Sequence, residues 1–103
     1  MTKKIIAVSY ILGKEPQAIE INNNLEAFQD FVNGYIQIIP LDEDLCLICN
    51  ECGIVDKLPY QEEYKVFGDF LIAKTEEDYI VTMENELVEY VKENIYNLLY
   101  KIL

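Results

Sequence analysis

Apolar positions along this chain fall into dense runs of strand length and sparser stripes at helical spacing. Residues 4–12 are a nearly continuous apolar run with β-branched side chains, the pattern of a strand buried on both faces. Gly13-Lys14-Glu15-Pro16 is a turn signal, and Ala18-Ile19-Glu20-Ile21 alternates as a second strand, the hairpin partner of the first. Asn22-Asn23-Asn24 then stops that strand and starts a helix. With Asn23 as N-cap, Glu26 stands at the third helical position, the spacing of a capping box. Leu25, Phe28, Phe31 and Val32 give the helix one apolar face, and Asn33-Gly34 closes it with Gly34 as the left-handed residue.

Two further apolar runs, 35–39 and 45–49, flank an acidic loop at 40–44, and the second ends in a Gly-closed turn at 50–53. They predict a β-hairpin near the middle of a sheet. Residues 54–58 fit a short strand and 58–64 a polar loop. Residues 66–73 fit a core strand in which Gly68 marks a bulge or a close approach. An acidic turn at 75–78 leads into a short strand at 79–81, paired back on the one before. Thr82 is placed to cap the last helix, with Glu84 and Glu86 near its positive end. Leu87, Val88, Val91, Ile95, Leu98, Leu99 and Ile102 repeat there with a period of 3.6. Tyr90, Tyr96 and Tyr100 widen the stripe, either as core packing with snorkelling rings or as an apolar flank for a partner or a second copy. The pattern predicts a single α+β domain over residues 1–103. It has a mainly antiparallel sheet, one short central helix (about 24–33) and a long C-terminal helix (about 83–102), with both helices on one face.

Charge narrows the function. Nineteen Asp and Glu oppose eight Lys for a net −11, and the chain has no His, Arg or Trp. Such a chain is repelled by nucleic acid and anionic lipid, so direct binding to either is not expected; it suits a basic partner surface reached by electrostatic steering. Without His, the usual general base and commonest metal ligand are missing. Without Arg, there is no bidentate fork for phosphate. At 103 residues with 51% apolar positions, the chain can bury a core without staples. The N-terminal apolar run is too short, and its context wrong, for a signal peptide, so the expected setting is the cytoplasm with reduced thiols.

All three cysteines lie in a C-x2-C-x2-C array, Cys46, Cys49 and Cys52. A zinc knuckle needs its first pair on a turn, whereas Cys46 and Cys49 fall within a predicted strand at an odd spacing that points them to opposite faces. The expectation is no metal and no cofactor, with Cys52 the exposed thiol. Acidic loops at Asp42-Glu43-Asp44, Glu62-Glu63 and Glu76-Glu77-Asp78 could build a two-carboxylate or magnesium site, but consecutive acids in turns more often point into water. Glu86, Glu89 and Glu93 would share one helical face, a strip able to dock on a basic groove. Tyr60 and Tyr64 could line a pocket that stacks a ring.

Several motifs occur in one order: Glu20-Ile21, Leu25 to Gln29, Val32-Asn33-Gly34-Tyr35-Ile36, Ile39-Pro40-Leu41, Leu47 to Gly53, Leu58-Pro59 and Gly68 to Ile72. Together they resemble a small domain family of unknown function from bacteriophages, mobile elements and their bacterial hosts. The resemblance spans roughly residues 4 to 90. Cys52 stands where that family usually has a second acidic or polar residue, and Gln61 where it often has Asn. The resemblance implies a phage or mobile-element setting and supplies no catalytic residues.

The resulting expectation is a non-enzymatic accessory protein that inhibits a host defence or nucleic-acid-binding protein. Its partner surface would be Asp42, Glu43, Asp44, Glu76, Glu77, Asp78, Glu86, Glu89 and Glu93. A sponge for a small signalling nucleotide, using Tyr60 and Tyr64, is the alternative; a carboxylate-dependent metalloenzyme is the second. A homodimer through the flank of the last helix is also open.

Overall fold

A computed structural model describes residues 3–42 and 44–100. The elements are β1 (Lys4–Tyr10), β2 (Gln17–Asn22), α1 (Leu25–Val32), β3 (Ile36–Asp42), β4 (Leu45–Asn50), β5 (Tyr60–Gln61), β6 (Val66–Phe67), β7 (Phe70–Glu76), β8 (Tyr79–Val81) and α2 (Asn85–Tyr100). The main sheet runs β2-β1-β7-β4-β3 with every pairing antiparallel, and β8 extends it beside the far end of β7. The fold is α+β, with one short and one long helix.

The two helices lie on opposite faces of the sheet, not on one. Because side chains alternate along a strand, the dense apolar runs of β1, β4 and β7 leave a hydrophobic surface on each side. Val8, Tyr10, Leu47, Phe70 and Ile72 pack with Val88, Val91, Ile95, Leu98 and Leu99 of α2. Ile5, Ala7, Cys46, Ile48, Leu71 and Ala73 pack with Phe28 of α1. The α1 face carries the smaller side chains Ala7, Cys46 and Ala73, so a two-turn helix with one deep Phe suffices to cover it. The centre of the sheet is β7, while the hairpin β3–β4 forms a flank with β3 at the edge. Pro40 lies within β3, where an edge strand tolerates its missing N–H, and a register shift follows between Pro40 and Asp42.

Several local expectations move by a residue or two. The N-cap of α1 is Asn24, whose side chain accepts from Ala27 N at 2.8 Å. Asn23 instead donates to Ile80 O at 2.8 Å, tying the helix entry to β8. The left-handed residue closing α1 is Asn33 (φ 63°), with Gly34 following at φ 155°. Residues 54–57 form turns and Leu58 is irregular, so there is no strand at 54–58, and 60–61 pair with 66–67 as a separate small hairpin. The expected 66–73 strand breaks at Gly68 (φ 81°), where a Cβ would stand 2.7 Å from Leu58 Cδ1. Thr82 does not cap α2; its Oγ1 accepts from Ile6 N, and Met83 N donates to Ile6 O, stitching the chain to β1. The carbonyl of Glu84 accepts the first bonds of α2 from Leu87 N and Val88 N. The proposed stripe position Ile102 lies outside the described residues.

Within α2, Asn94 leaves helical geometry (φ −115°, ψ 16°), and its side chain donates to Tyr90 O at 2.8 Å. A side-chain donor competing for a carbonyl of the preceding turn is a recognised cause of a kink.

Candidate functional site

The fold brings most of the acidic loops to one end of the sheet. The β3–β4 and β7–β8 turns meet there, with Thr75 N donating to Asp44 O at 2.9 Å. Asp44, Glu76 and Glu77 line a shallow cavity of about 540 Å³ together with Tyr79 and Val81. Asp42 and Asp44 border a second, of about 270 Å³, with Leu45, Leu87 and Tyr90, so the acidic end runs onto α2. Glu77 adopts φ 56° in the two-residue turn it makes with Asp78, and both are exposed. Glu43 lies outside the described residues.

One cation sits in this group. Lys74 Nζ lies 3.0 Å from Glu84 Oε2, and its pKa is raised by that hydrogen bond and then by the charges of Glu84, Glu76 and Asp44. The same bond lowers the pKa of Glu84. Glu84 is exposed and Lys74 only partly buried, so solvent screens the pair and it adds little to stability. Glu86, Glu89 and Glu93 are all exposed on the straight segment of α2 before the kink, interleaved with half-exposed Tyr90. Their spacing puts them on one face. Tyr96 donates a short hydrogen bond to Glu63, which pushes its own pKa up to about 12.

Tyr60 and Tyr64 belong to different ring clusters. Tyr60 is 42% exposed and packs on Phe67 in the small hairpin. Tyr64 is 8% exposed, edge-on to Tyr10 and Phe70 and stacked on Tyr96. Gln61 anchors that hairpin, its buried Nε2 donating to Tyr10 O at 3.0 Å and Gly68 O at 2.7 Å. The Tyr10 hydroxyl is buried without a hydrogen-bond partner among the described residues, and burial raises its pKa.

The three thiols do not converge. Cys46 is buried on the α1 face and Cys49 on the α2 face, as their odd spacing predicts, while Cys52 is exposed in the turn. Burial pushes the Cys46 thiol up to about 11 and raises that of Cys49. Among the described residues no three Cys, Asp or Glu side chains are gathered as a metal site.

At the opposite end of β4 the structure shows a feature that sequence reasoning missed. Asn50 is buried at the end of that strand. Its Nδ2 donates to Val32 O at 3.0 Å and Asn33 O at 3.2 Å, and its Oδ1 accepts from Cys52 N at 2.7 Å. One side chain thus joins the exit of α1 to the 50–57 turn. Between them lies a cleft of about 550 Å³ lined by Gln29, Asp30, Asn33, Gly34, Tyr35, Cys52, Val55 and Asp56. Tyr35, Ile54 and Val55 are each more than 70% exposed beside it. The one available signal was the Ile54-Val55 pair, which reads as strand but sits in a turn where apolar side chains face water.

The scaffold is an α+β domain of three layers, with one helix on each face of the sheet. By sequence the chain belongs to the family described as domain of unknown function DUF3846, whose model matches residues 5–96. No curated protein and no solved structure matches it. No helix among the described residues is long and apolar enough to cross a membrane.

Proposed function

We propose that this domain is a non-enzymatic accessory protein of phage or mobile-element origin that inhibits a host protein by covering its basic surface. The observation that carries this reading is that Asp44, Glu76 and Glu77 share one cavity, and that Asp42 and Asp44 share another with Leu87 and Tyr90 of α2, the helix that exposes Glu86, Glu89 and Glu93. Acidic loops and an acidic helix strip together would complement a groove that otherwise holds a phosphate backbone, such as that of a defence nuclease. The interleaved glutamates disfavour a second copy of α2 on the same face, since like charges would be brought together.

Charge reversal at Glu86, Glu89 and Glu93 to Lys tests it. The triple variant keeps its far-UV dichroism and loses capture of the partner from a low-salt host lysate. Wild-type binding weakens steeply as salt rises from roughly 0.1 to 1 M, where the screening length falls from about 10 to about 3 Å. Binding indifferent to salt and to charge reversal would overturn the reading.

A further inference from the structure

The cleft at the other end of β4 is chemically distinct from the acidic face. It lies at the exit of α1, where the helix macrodipole presents its negative end. Helices usually place a cation there, but α1 has no basic residue in its last turn. Asp30 lies in that last turn and Asp56 lines the same cleft, with Asp56 Oδ2 3.4 Å from where a Gly34 Cβ would stand. Neither carboxylate has an ion-pair partner among the described residues. Tyr35, 72% exposed, and Val55, 77% exposed, give the cleft its apolar walls, with Gln29 and Asn33 as neutral polar neighbours. Two uncompensated carboxylates and a helix C-terminus thus share a cleft with an open aromatic ring.

We propose that this cleft is a recognition site for an arginine-bearing apolar segment of a protein partner. A guanidinium is planar and weakly hydrated, so it can stack on Tyr35 while its N–H groups reach Asp30 and Asp56. A lysine ammonium is compact and strongly hydrated, and loses more on entering an apolar-walled cleft. At about 550 Å³ the cleft has room for the arginine and an apolar neighbour against Val55. A second copy cannot supply the ligand, because the chain contains no Arg. Anionic ligands are opposed by both carboxylates.

The probe is the capped peptide acetyl-Leu-Arg-Leu-amide, titrated into the ¹⁵N-labelled protein at low salt. Saturable amide shifts at Gly34, Tyr35 and Asp56 are expected, and alkylation of Cys52 by iodoacetamide slows in parallel. Because Cys46 and Cys49 are buried with raised thiol pKa values, the label reports Cys52. The Asp30→Asn/Asp56→Asn variant, isosteric and altered only at exposed positions, keeps its spectral dispersion and binds about tenfold more weakly. The Glu86, Glu89 and Glu93 charge-reversal variant binds the peptide as wild type does, which separates this site from the acidic face. Absence of saturation, equal binding of acetyl-Leu-Gln-Leu-amide, or shifts centred on Asp44, Glu76 and Glu89 would each overturn the proposal.

Discussion

Asn50 holds more of this structure together than any other polar side chain described. It occupies the last position of an otherwise apolar strand, where a buried amide is costly unless fully bonded. Its three hydrogen bonds satisfy two carbonyls at the exit of α1 and fix Cys52 within the following turn. Replacing it by Ala orphans those carbonyls and frees the turn, so Asn50→Ala should lose about 2–3 kcal/mol by urea denaturation. Asn50→Asp retains the acceptor but sets a negative charge at the helix C-terminus, and should be no more stable than Asn50→Ala. An effect under about 0.5 kcal/mol for both would show that the staple is dispensable.

Among the elements, the small β5–β6 hairpin is the one least expected from periodicity. Each of its strands has two residues, too few for alternation to register, and its anchor is the buried Gln61 rather than an apolar side chain. It also depends on close backbone approach, since a Cβ on Gly53 would stand 2.6 Å from Phe67 Cβ and 3.2 Å from Phe67 O. Both atoms are rigidly tied to the backbone, so the hairpin must shift to admit a methyl group. Gly53→Ala should therefore cost about 1–3 kcal/mol in thermal or urea unfolding. Amide exchange should rise first at residues 60–67; unchanged exchange there would place the strain elsewhere. The helices show the converse: the stripe of α2 was legible because many apolar positions repeat at one period, whereas of the four positions expected on the face of α1, Phe28 and Val32 are buried, Phe31 is partly buried and Leu25 is 58% exposed. The cap of α1 was not legible, because three asparagines in a row offer equivalent side chains, and only the pairing of Asn23 with Ile80 assigns Asn24 as the cap; at α2, Thr82 is instead taken by Ile6 N.

At the scale of the whole molecule, tyrosines make stability sensitive to alkali. The pKa of Tyr96 is raised to about 12, first by its hydrogen bond to Glu63, and those of Tyr10 and Tyr64 are raised first by burial. A group that holds its proton more tightly when folded contributes stability in full below its unfolded pKa, near 10 for tyrosine, and loses it as pH rises through the folded value. The urea midpoint should thus fall between about pH 10 and pH 12. Tyr96→Phe should flatten part of that fall, and an unaltered slope would separate Tyr96 from the effect.

Composition and patterning alone determined that this is an acidic α+β domain with an antiparallel sheet, two helices and cysteines on opposite strand faces. Those properties follow from local periodicity and from the residue types absent. Tertiary structure decided that the helices take opposite faces, because a strand buried on both sides says that two covers exist but not which helix supplies each. It also decided which acids meet, since Asp44 and Glu76 are neighbours through strand pairing and not through sequence. The Asp30–Asp56 cleft is the clearest case. Its walls come from a helix exit at residues 29–35 and a turn at residues 52–56, distant in sequence and brought together by one buried asparagine.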